Sequence, residues 1–271
     1  MTTEPHPLDV VAPQRIAQLV EEVGIRKARL AFVPMLALAV LAGAFIAFGA
    51  MFFTVVVTES ALGYGPTRLI GGMAFSLGLI LVIVGGAELF TGNSLVVIAW
   101  ANRDITTLAL LRNWGIVYAG NLIGAVATAV LVHLSGILAA GGGAVGETAV
   151  GIATAKLALD PGAAFFRAVL CNVLVCLAVW MCFAAQSVSG KVLVILFPVT
   201  AFVALGFEHS VANMYLLPVA MLHAGTGDMA AMLVNLLVVT AGNVLGGGVF
   251  VALVYWVIYM RGQGGAGPGG A

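Results

Sequence analysis

Residues 85–93 read Gly-Gly-Ala-Glu-Leu-Phe-Thr-Gly-Asn and interrupt an apolar stretch that is otherwise long enough to be a membrane span. A second interruption, Gly-Phe-Glu-His-Ser-Val-Ala-Asn, occupies residues 206–213 of a later apolar stretch. Irregular backbone at membrane depth is tolerated where it lines a cavity, because every polar group in lipid needs a partner. Both stretches therefore predict helices that break inside the membrane.

The two interruptions belong to an internal repeat. Three residues of the first recur 120 residues later in the second: Gly86, Glu88 and Asn93 match Gly206, Glu208 and Asn213. The hexapeptide at 119–124, Ala-Gly-Asn-Leu-Ile-Gly, recurs 122 residues later as Ala-Gly-Asn-Val-Leu-Gly. Each repeat holds three spans, and an odd number makes the second repeat enter the membrane from the opposite side. Inverted repeats with paired broken helices place a transport site near the midplane.

The composition places most of the chain in a bilayer. Hydrophobic residues make up 62% of the 271 residues and charged residues only 8%, against about a quarter in soluble domains. The net charge of zero gives no field that would attract nucleic acid. Six stretches are long enough to span a bilayer: Leu30–Val57, Leu69–Ala99, Thr107–Ala139, Ala163–Ala185, Val192–Leu222 and Met229–Met260. We predict an all-α transmembrane fold with two broken helices in an inverted 3+3 repeat.

The flanking segments and the basic residues predict the topology. We expect an amphipathic cytoplasmic helix within 1–29, a transport domain over 30–260 with repeats at about 30–139 and 163–260, and a disordered Gly-rich tail over 261–271. Eight Lys and Arg residues fall on the side of the termini and three on the other side. We therefore expect cytoplasmic termini in a bacterial or archaeal inner membrane.

The polar residues at the breaks are the strongest candidates for function, because ionisable groups inside a membrane are costly. Glu88 and Glu208 occupy equivalent positions, so we predict that they cap the backbone at the breaks, with Asn93 and Asn213 beside them. The alternative is that the two glutamates carry protons. Asn121 and Asn243 are interpreted as close-packing positions between helices.

His209 has no counterpart in the first repeat. Its imidazole can be neutral or cationic near physiological pH, which suits a site that attracts an anion or hands it a proton. Moving a carboxylate-sized anion into low dielectric costs on the order of 20 kcal/mol, which a pore has to offset. We predict that His209 lies at the centre of an anion pore, with Thr91 facing it from the other break.

Three motifs, at 86–93, 207–214 and 241–247, resemble those of the formate/nitrite transporter family over about residues 25–260. The resemblance implies a homopentamer of aquaporin-like six-helix protomers, each with its own pore. It implies formate as the substrate, with nitrite or hydrosulfide as alternatives, and conduction as a channel or together with protons.

The resemblance also assigns roles to individual residues. His209 matches the central histidine and Thr91 its partner, while Lys156, in the predicted non-cytoplasmic loop, and Asn172 match polar residues near that histidine. Five apolar residues match constrictions or the loop between them: Phe75 and Phe202 on the outer side, Leu79 and Leu89 on the inner side, and Phe90 beside Leu89.

Two other classes of protein are less favoured. A membrane enzyme or haem protein that uses His133 and His209 as ligands lacks a second deep histidine and a metal-ligand spacing. A purely structural subunit has no need of broken helices that line a cavity. We expect no cofactor, no metal and no catalytic residues.

Overall fold

The computed structural model describes residues 11–261, which form helices and short connections without a strand. The eleven α-helices are α1 (Pro13–Arg29), α2 (Phe32–Val57), α3 (Tyr64–Gly85), α4 (Val97–Ala101), α5 (Thr107–Leu134), α6 (Ala144–Leu157), α7 (Pro161–Ala184), α8 (Val188–Ala204), α9 (Ser210–Ala224), α10 (Met229–Val244) and α11 (Val254–Tyr259). Short 3₁₀ segments cover Gly92–Val96 and Ile137–Gly143, and a π-helical segment covers Leu245–Leu253. The amphipathic helix expected before the first span is α1, and most of the predicted tail lies outside the described residues.

The all-α membrane fold and the two breaks are confirmed. Six helical stretches within residues 11–261 are long and apolar enough to cross a membrane, counting Ile137–Leu157, which joins a kinked 3₁₀ segment to α6. The predicted second span ends as a helix at Gly85, and the predicted fifth span is divided into α8 and α9, each shorter than a full crossing. At both breaks a glycine ends the first half-helix in the left-handed region, with φ of 78° at Gly86 and 70° at Gly206. Side chains with a Cβ rarely adopt this conformation.

The segment that carries Lys156 was predicted to be a loop, and this prediction was wrong. Residues 144–157 form α6, after a kink in which Gly141, Gly142 and Gly143 have positive φ. A helix of 14 residues is about 21 Å long, too short for a hydrocarbon core of about 30 Å. The helix was not predicted, because a cluster of glycines in a sequence indicates a turn or a loop.

The two halves of the fold match in their packing. A Cβ added to Gly124 of α5 would collide with the carbonyl oxygen of Val40 in α2, and one added to Gly246 would collide with that of Val169 in α7. Equivalent helix pairs therefore approach to backbone contact in both repeats. Helices α1 and α6 also make equivalent contacts, since each places a lysine on the glutamate of one break.

A cluster of carboxyl groups ties α1 to the connection after α4. The Asn102 side-chain amide donates to Glu21 Oε1 at 2.6 Å and to Asp104 Oδ2 at 3.3 Å. Burial, together with a hydrogen bond and repulsion from Asp104, raises the pKa of Glu21 to about 7. The docked helix therefore favours the protonated carboxyl group.

We expect α1 to dock more tightly at acid pH. Because the pKa of Glu21 rises from an ordinary value of 4.5, docking is strongest below that pH and weakens as the pH rises through about 7. Hydrogen exchange of α1 amides, corrected for intrinsic rates, should show this loss of protection. Glu21→Gln should remove the dependence, whereas Glu22→Gln, at an exposed residue paired with Arg15, should retain it. A Glu21→Gln profile matching that of the native chain would contradict the assignment.

Candidate transport pore

The backbone at the first break is held by one asparagine side chain. Asn121 of α5 accepts a hydrogen bond from the Phe90 N–H at 2.9 Å. Its amide nitrogen donates to the carbonyl oxygens of Ala39 at 2.7 Å and Glu88 at 2.9 Å. Three backbone groups that lipid could not satisfy are therefore paired by a fully buried side chain.

Asn243 performs the same task at the second break. It accepts the Ser210 N–H at 2.9 Å and donates to the carbonyl oxygens of Ala168 at 2.8 Å and Glu208 at 3.0 Å. The interpretation of the two asparagines as close-packing positions was therefore wrong. The repeated hexapeptide contained the signal for this role. Its asparagine has both donors and an acceptor, whereas the glycines around it allow the helices to approach closely.

Replacing Asn243 with leucine should destabilise the protein strongly. The change leaves one N–H and two carbonyl groups without this partner, and each unsatisfied buried group costs about 1–3 kcal/mol. We expect a loss of at least about 3 kcal/mol of stability, measured as a lower melting temperature of the purified protein in detergent. Asn121→Leu should have a matching effect. An unchanged melting temperature in either variant would contradict this role.

The glutamates at the breaks bind lysines rather than backbone amides, so the prediction that they act as caps was wrong. Lys27 Nζ lies 2.8 Å from Glu88 Oε1 and 2.9 Å from Asn93 Oδ1. The Asn93 amide donates to Glu88 Oε2 at 2.7 Å and to Asn113 Oδ1 at 3.0 Å. Asn113 in turn donates to the carbonyl oxygen of Lys27 at 3.2 Å, which closes the network on α1.

The second repeat contains an equivalent network. Lys156 Nζ lies 2.9 Å and 3.0 Å from the two carboxylate oxygens of Glu208. The Asn213 amide donates to Glu208 Oε2 at 2.7 Å and to Asn235 Oδ1 at 2.9 Å, and Asn235 reaches the carbonyl oxygen of Lys156 at 3.4 Å. Asn213, like Asn93, therefore holds a carboxylate rather than capping a helix.

Sequence reasoning missed three members of these networks. Asn113 and Asn235 are 122 residues apart, the spacing of the repeated hexapeptide, so this spacing was an available signal. Lys27 and Lys156 are 129 residues apart, because the connections that follow them differ in length. A fixed offset could not pair these lysines, and Lys27 lies within the amphipathic helix that was predicted in residues 1–29.

His209 and Thr91 meet between the two breaks. Thr91 Oγ1 lies 2.9 Å from His209 Nε2, and both residues are buried. His209 Nδ1 accepts the Ala212 N–H at 3.0 Å and so caps α9. A ring nitrogen that accepts carries no proton, so the neutral imidazole has its hydrogen on Nε2 and donates it to Thr91. The threonine hydroxyl hydrogen is then free to donate to another acceptor.

Asn172 supports the Thr91 loop from α7 and makes no hydrogen bond to His209. Its amide nitrogen lies 3.2 Å from the Thr91 carbonyl oxygen, 3.1 Å from Ser94 Oγ and 2.6 Å from the Asn243 carbonyl oxygen. Its side-chain oxygen is buried and has no hydrogen-bond partner among the described residues. Asn172 therefore links the two broken segments and positions Thr91.

Two cavities approach the His209–Thr91 pair from opposite sides. The Lys27 vestibule, of about 280 Å³, is lined by Lys27, Glu88, Leu89 and Lys191 among others. The Lys156 vestibule, of about 580 Å³, is lined by Lys156, Glu208, Phe202 and His209 among others. A central cavity of about 10 Å³ lies between them, which is at the lower limit of the space that holds one water molecule.

The walls of the central cavity are apolar apart from His209. Phe75, Phe202, Leu79 and Leu89 line it together with His209 and three aliphatic residues. The Phe75 and Phe202 rings are 5.7 Å apart at 81°, and the Phe202 ring stacks on the His209 imidazole at 5.9 Å. The structure thus brings four of the five expected constriction residues together around the histidine.

Phe90 lies elsewhere, so its assignment to a constriction is corrected. Its ring packs against those of Tyr118 and Trp114, with centroids 5.0 Å and 6.2 Å away. The side chain points into the helix packing because neighbouring residues of the loop alternate between the pore and the core. Phe90 therefore holds the loop in place.

The haem-ligand alternative finds no support in the placement of its residues. His133 is exposed near the end of α5, whereas His209 is buried beside the second break. Within residues 11–261, no group of three or more His, Cys, Asp or Glu side chains is placed to hold a metal ion.

Two vestibules that meet at a narrow, histidine-centred constriction within an inverted repeat define a membrane channel or transporter. The family model described as formate/nitrite transporter matches residues 14–257. The chain therefore belongs to the formate/nitrite transporter family, as its motifs predicted.

Relatives and solved structures agree with this assignment. The chain is 42% identical over 252 residues to the uncharacterized transporter YrhG of Bacillus subtilis, covering 92% of this chain and 94% of that protein. It is 37% identical over 276 residues to the formate channel FocA of Escherichia coli K12, covering 94% and 97%. A solved pentameric formate channel with formate bound matches with a TM-score of 0.77 and 38% identity, covering 85% of this chain and 98% of that chain.

Proposed function

We propose that the protein passes formate across the membrane through the path between the two vestibules. The observation that carries the proposal is His209, the polar residue in the otherwise apolar lining of the central cavity, which Thr91 holds by a hydrogen bond to Nε2. The relatives and solved structures that match most of the chain include proteins named as formate channels. This supports formate over nitrite or hydrosulfide.

The vestibules suit the approach of an anion. Each contains a lysine that is paired with a glutamate, so this lysine attracts an anion without presenting a full unpaired charge. A fixed, unbalanced cation at the constriction itself would bind the anion too tightly for release. We propose that Lys27 and Lys156 lead the anion to opposite ends of the constriction.

The constriction suits passage of a nearly neutral species. A bare carboxylate there would lose its hydration, at an idealised cost on the order of 20 kcal/mol. The Ala212 N–H occupies His209 Nδ1, which favours a neutral imidazole whose Nε2–H acts as a donor. We propose that a proton accompanies the anion, with the Thr91 hydroxyl and His209 offering hydrogen bonds in place of water.

The same comparisons support a proposal for the assembly, and the distribution of charged residues supports one for the location. We propose a homopentamer in which each protomer has its own pore, with the apolar outer surfaces facing other protomers or lipid. The excess of Lys and Arg on the side of α1 supports cytoplasmic termini in the inner membrane. The Lys27 vestibule is then cytoplasmic and the Lys156 vestibule faces outward. In this proposal the chain acts as a pore without catalysing a reaction.

Liposomes containing the purified protein test the function. Formate, nitrite, hydrosulfide and acetate are supplied in turn at one concentration and at several pH values, and the initial flux is compared with that of protein-free liposomes. We expect formate to pass fastest, with flux that increases as the medium is acidified. Formate flux at the protein-free level would contradict the proposal. If nitrite or hydrosulfide passed faster than formate, that anion would take the place of formate as the proposed substrate.

A matched pair of variants tests the route. Leu89→Trp puts a large ring into the central cavity and should abolish most of the flux. Leu134→Trp makes the same exchange at a side chain that is 74% exposed near the end of α5, where an amphipathic ring is tolerated at a membrane interface. It should leave flux unchanged. Equal flux through both variants would show that the anion takes another path.

A further inference from the structure

Two arginines stand at the Lys156 vestibule outside the networks described above. Arg68 of α3 donates to the carbonyl oxygens of Ala204, at 3.2 Å, and Val203. Arg167 of α7 is exposed and donates to the carbonyl oxygen of Gly206 at 3.4 Å. Both side chains line the same cavity as His209. They therefore approach the second break from two different helices.

The two guanidinium groups lie close to one another. A Cβ built on Gly206 would lie 3.5 Å from Arg68 Nη2 and 3.8 Å from Arg167 Nη1. The two nitrogens are therefore no more than about 7 Å apart, on either side of a residue without a side chain. Gly206 leaves the space between them open.

No carboxylate balances this pair. Among residues 11–261 the ion pairs are Arg15 with Glu22, Lys27 with Glu88 and Lys156 with Glu208, so neither arginine has an acidic partner. Both guanidinium groups stay charged at every physiological pH. Two like charges at this distance repel each other, and a small anion placed between them relieves the repulsion.

Among the described residues, the first break has no equivalent of the pair. A Cβ on Gly86, the counterpart of Gly206, would meet no atom within 4 Å. Gly86 and Gly206 are thus both required for their backbone conformation, but only Gly206 lies between two arginine side chains. The repeat accounts for the break, whereas the arginines, which donate to carbonyl oxygens at and just after the end of α8, belong to the second break.

We infer that Arg68 and Arg167 form an anion-capture site at the mouth of the Lys156 vestibule, which collects formate before it reaches the constriction. Guanidinium groups match the two oxygens of a carboxylate, and the open space at Gly206 accepts an ion of this size. The site concentrates substrate by its charge, whereas His209 offers a hydrogen bond. This inference rests on the proposed function.

Arg167→Gln in liposomes tests the capture site. At about 10 mM ionic strength we expect the KM for formate to rise about three- to tenfold while the maximal flux stays the same, because the site acts before the constriction. The difference should largely disappear at about 1 M salt, where the Debye length is about 3 Å. Arg167→Lys, which keeps the charge but cannot match both carboxylate oxygens, should raise the KM less than Arg167→Gln does. Arg26→Gln, which removes an exposed arginine of α1, should leave the KM unchanged.

A thiol introduced by Arg167→Cys provides a second measurement on a single folded preparation. The three native cysteines are buried, so an impermeant methanethiosulfonate reagent should modify the introduced thiol alone. A cationic reagent should lower the KM and an anionic reagent should raise it. The inference is overturned if Arg167→Gln keeps the native KM at low salt, or if reagents of opposite charge have the same effect. Absent formate flux in the native protein would instead contradict the proposed function.

Discussion

Replacing Lys156 with methionine is expected to destabilise the protein by about 3–5 kcal/mol, because it leaves Glu208 buried as a charge without a cation. The glutamate is 3% exposed, and Asn213 remains as its hydrogen-bond donor. One amide hydrogen bond does not replace an ammonium group at 2.9 Å. The measurement is thermal unfolding of the purified oligomer in detergent, in which a loss of this size lowers the melting temperature by several degrees.

A double variant separates the loss of the pair from the loss of the lysine. Lys156→Met with Glu208→Gln removes both charges and should recover much of the stability, since a glutamine oxygen still accepts from Asn213. Lys191→Met is the control, because Lys191 lines the other vestibule without an acidic partner within residues 11–261. Recovered stability with slow formate flux would assign the lysine a role in conduction. A single variant as stable as the native chain would contradict the importance of the pair.

The symmetry of the fold extends this prediction to the other side of the membrane. Lys27→Met should also destabilise the protein, but by less, because the Lys27 side chain is 26% exposed whereas that of Lys156 is 16% exposed. Where a site is more open, water solvates the remaining carboxylate and compensates for part of the lost ion pair.

The broken helices were predictable because their cause is local. Glycine, glutamate and asparagine within an apolar stretch conflict with a continuous membrane helix, and the same conflict appears in both repeats. The repeat also distinguished His209 from Glu208, since a residue needed for the break itself should occur at both breaks. The family resemblance assigned Phe75 and Phe202 to an outer constriction and Leu79 and Leu89 to an inner one. The structure brings all four around the histidine.

The partners of the charged residues were not predictable, because they depend on how short helices fold back. A sequence pattern shows that Glu88 is costly in a membrane, but the lysine beside it is 61 residues away on α1. The helix that carries Lys156 was missed because it follows a run of glycines. Phe90 was misplaced because periodicity cannot decide which of two adjacent loop side chains faces a pore.

Exchanges at His209 should distinguish a hydrogen-bond donor from a titrating cation. His209→Phe removes the donor from a constriction that has almost no room for water. We expect formate flux to fall about 10- to 100-fold, because a polar group of the passing substrate is left without a partner at a cost of about 1–3 kcal/mol. It also removes the cap of α9, which costs about 1 kcal/mol of stability. The measurements are initial flux in liposomes between pH 5 and 8 and the melting temperature of the same preparations.

His209→Asn is the matched variant, because asparagine caps a helix and offers an N–H donor but has no proton to exchange near neutrality. If the histidine acts as a neutral donor, as the hydrogen bond from Ala212 to Nδ1 favours, this variant keeps most of the flux and the native pH profile. The pH dependence then arises from protonation of the anion before it enters the constriction. If formate flux through His209→Asn did not change with pH, titration of the imidazole would be the cause of the native pH dependence. The hydrogen bond from the Ala212 N–H to Nδ1 would then have to break each time the imidazole is protonated.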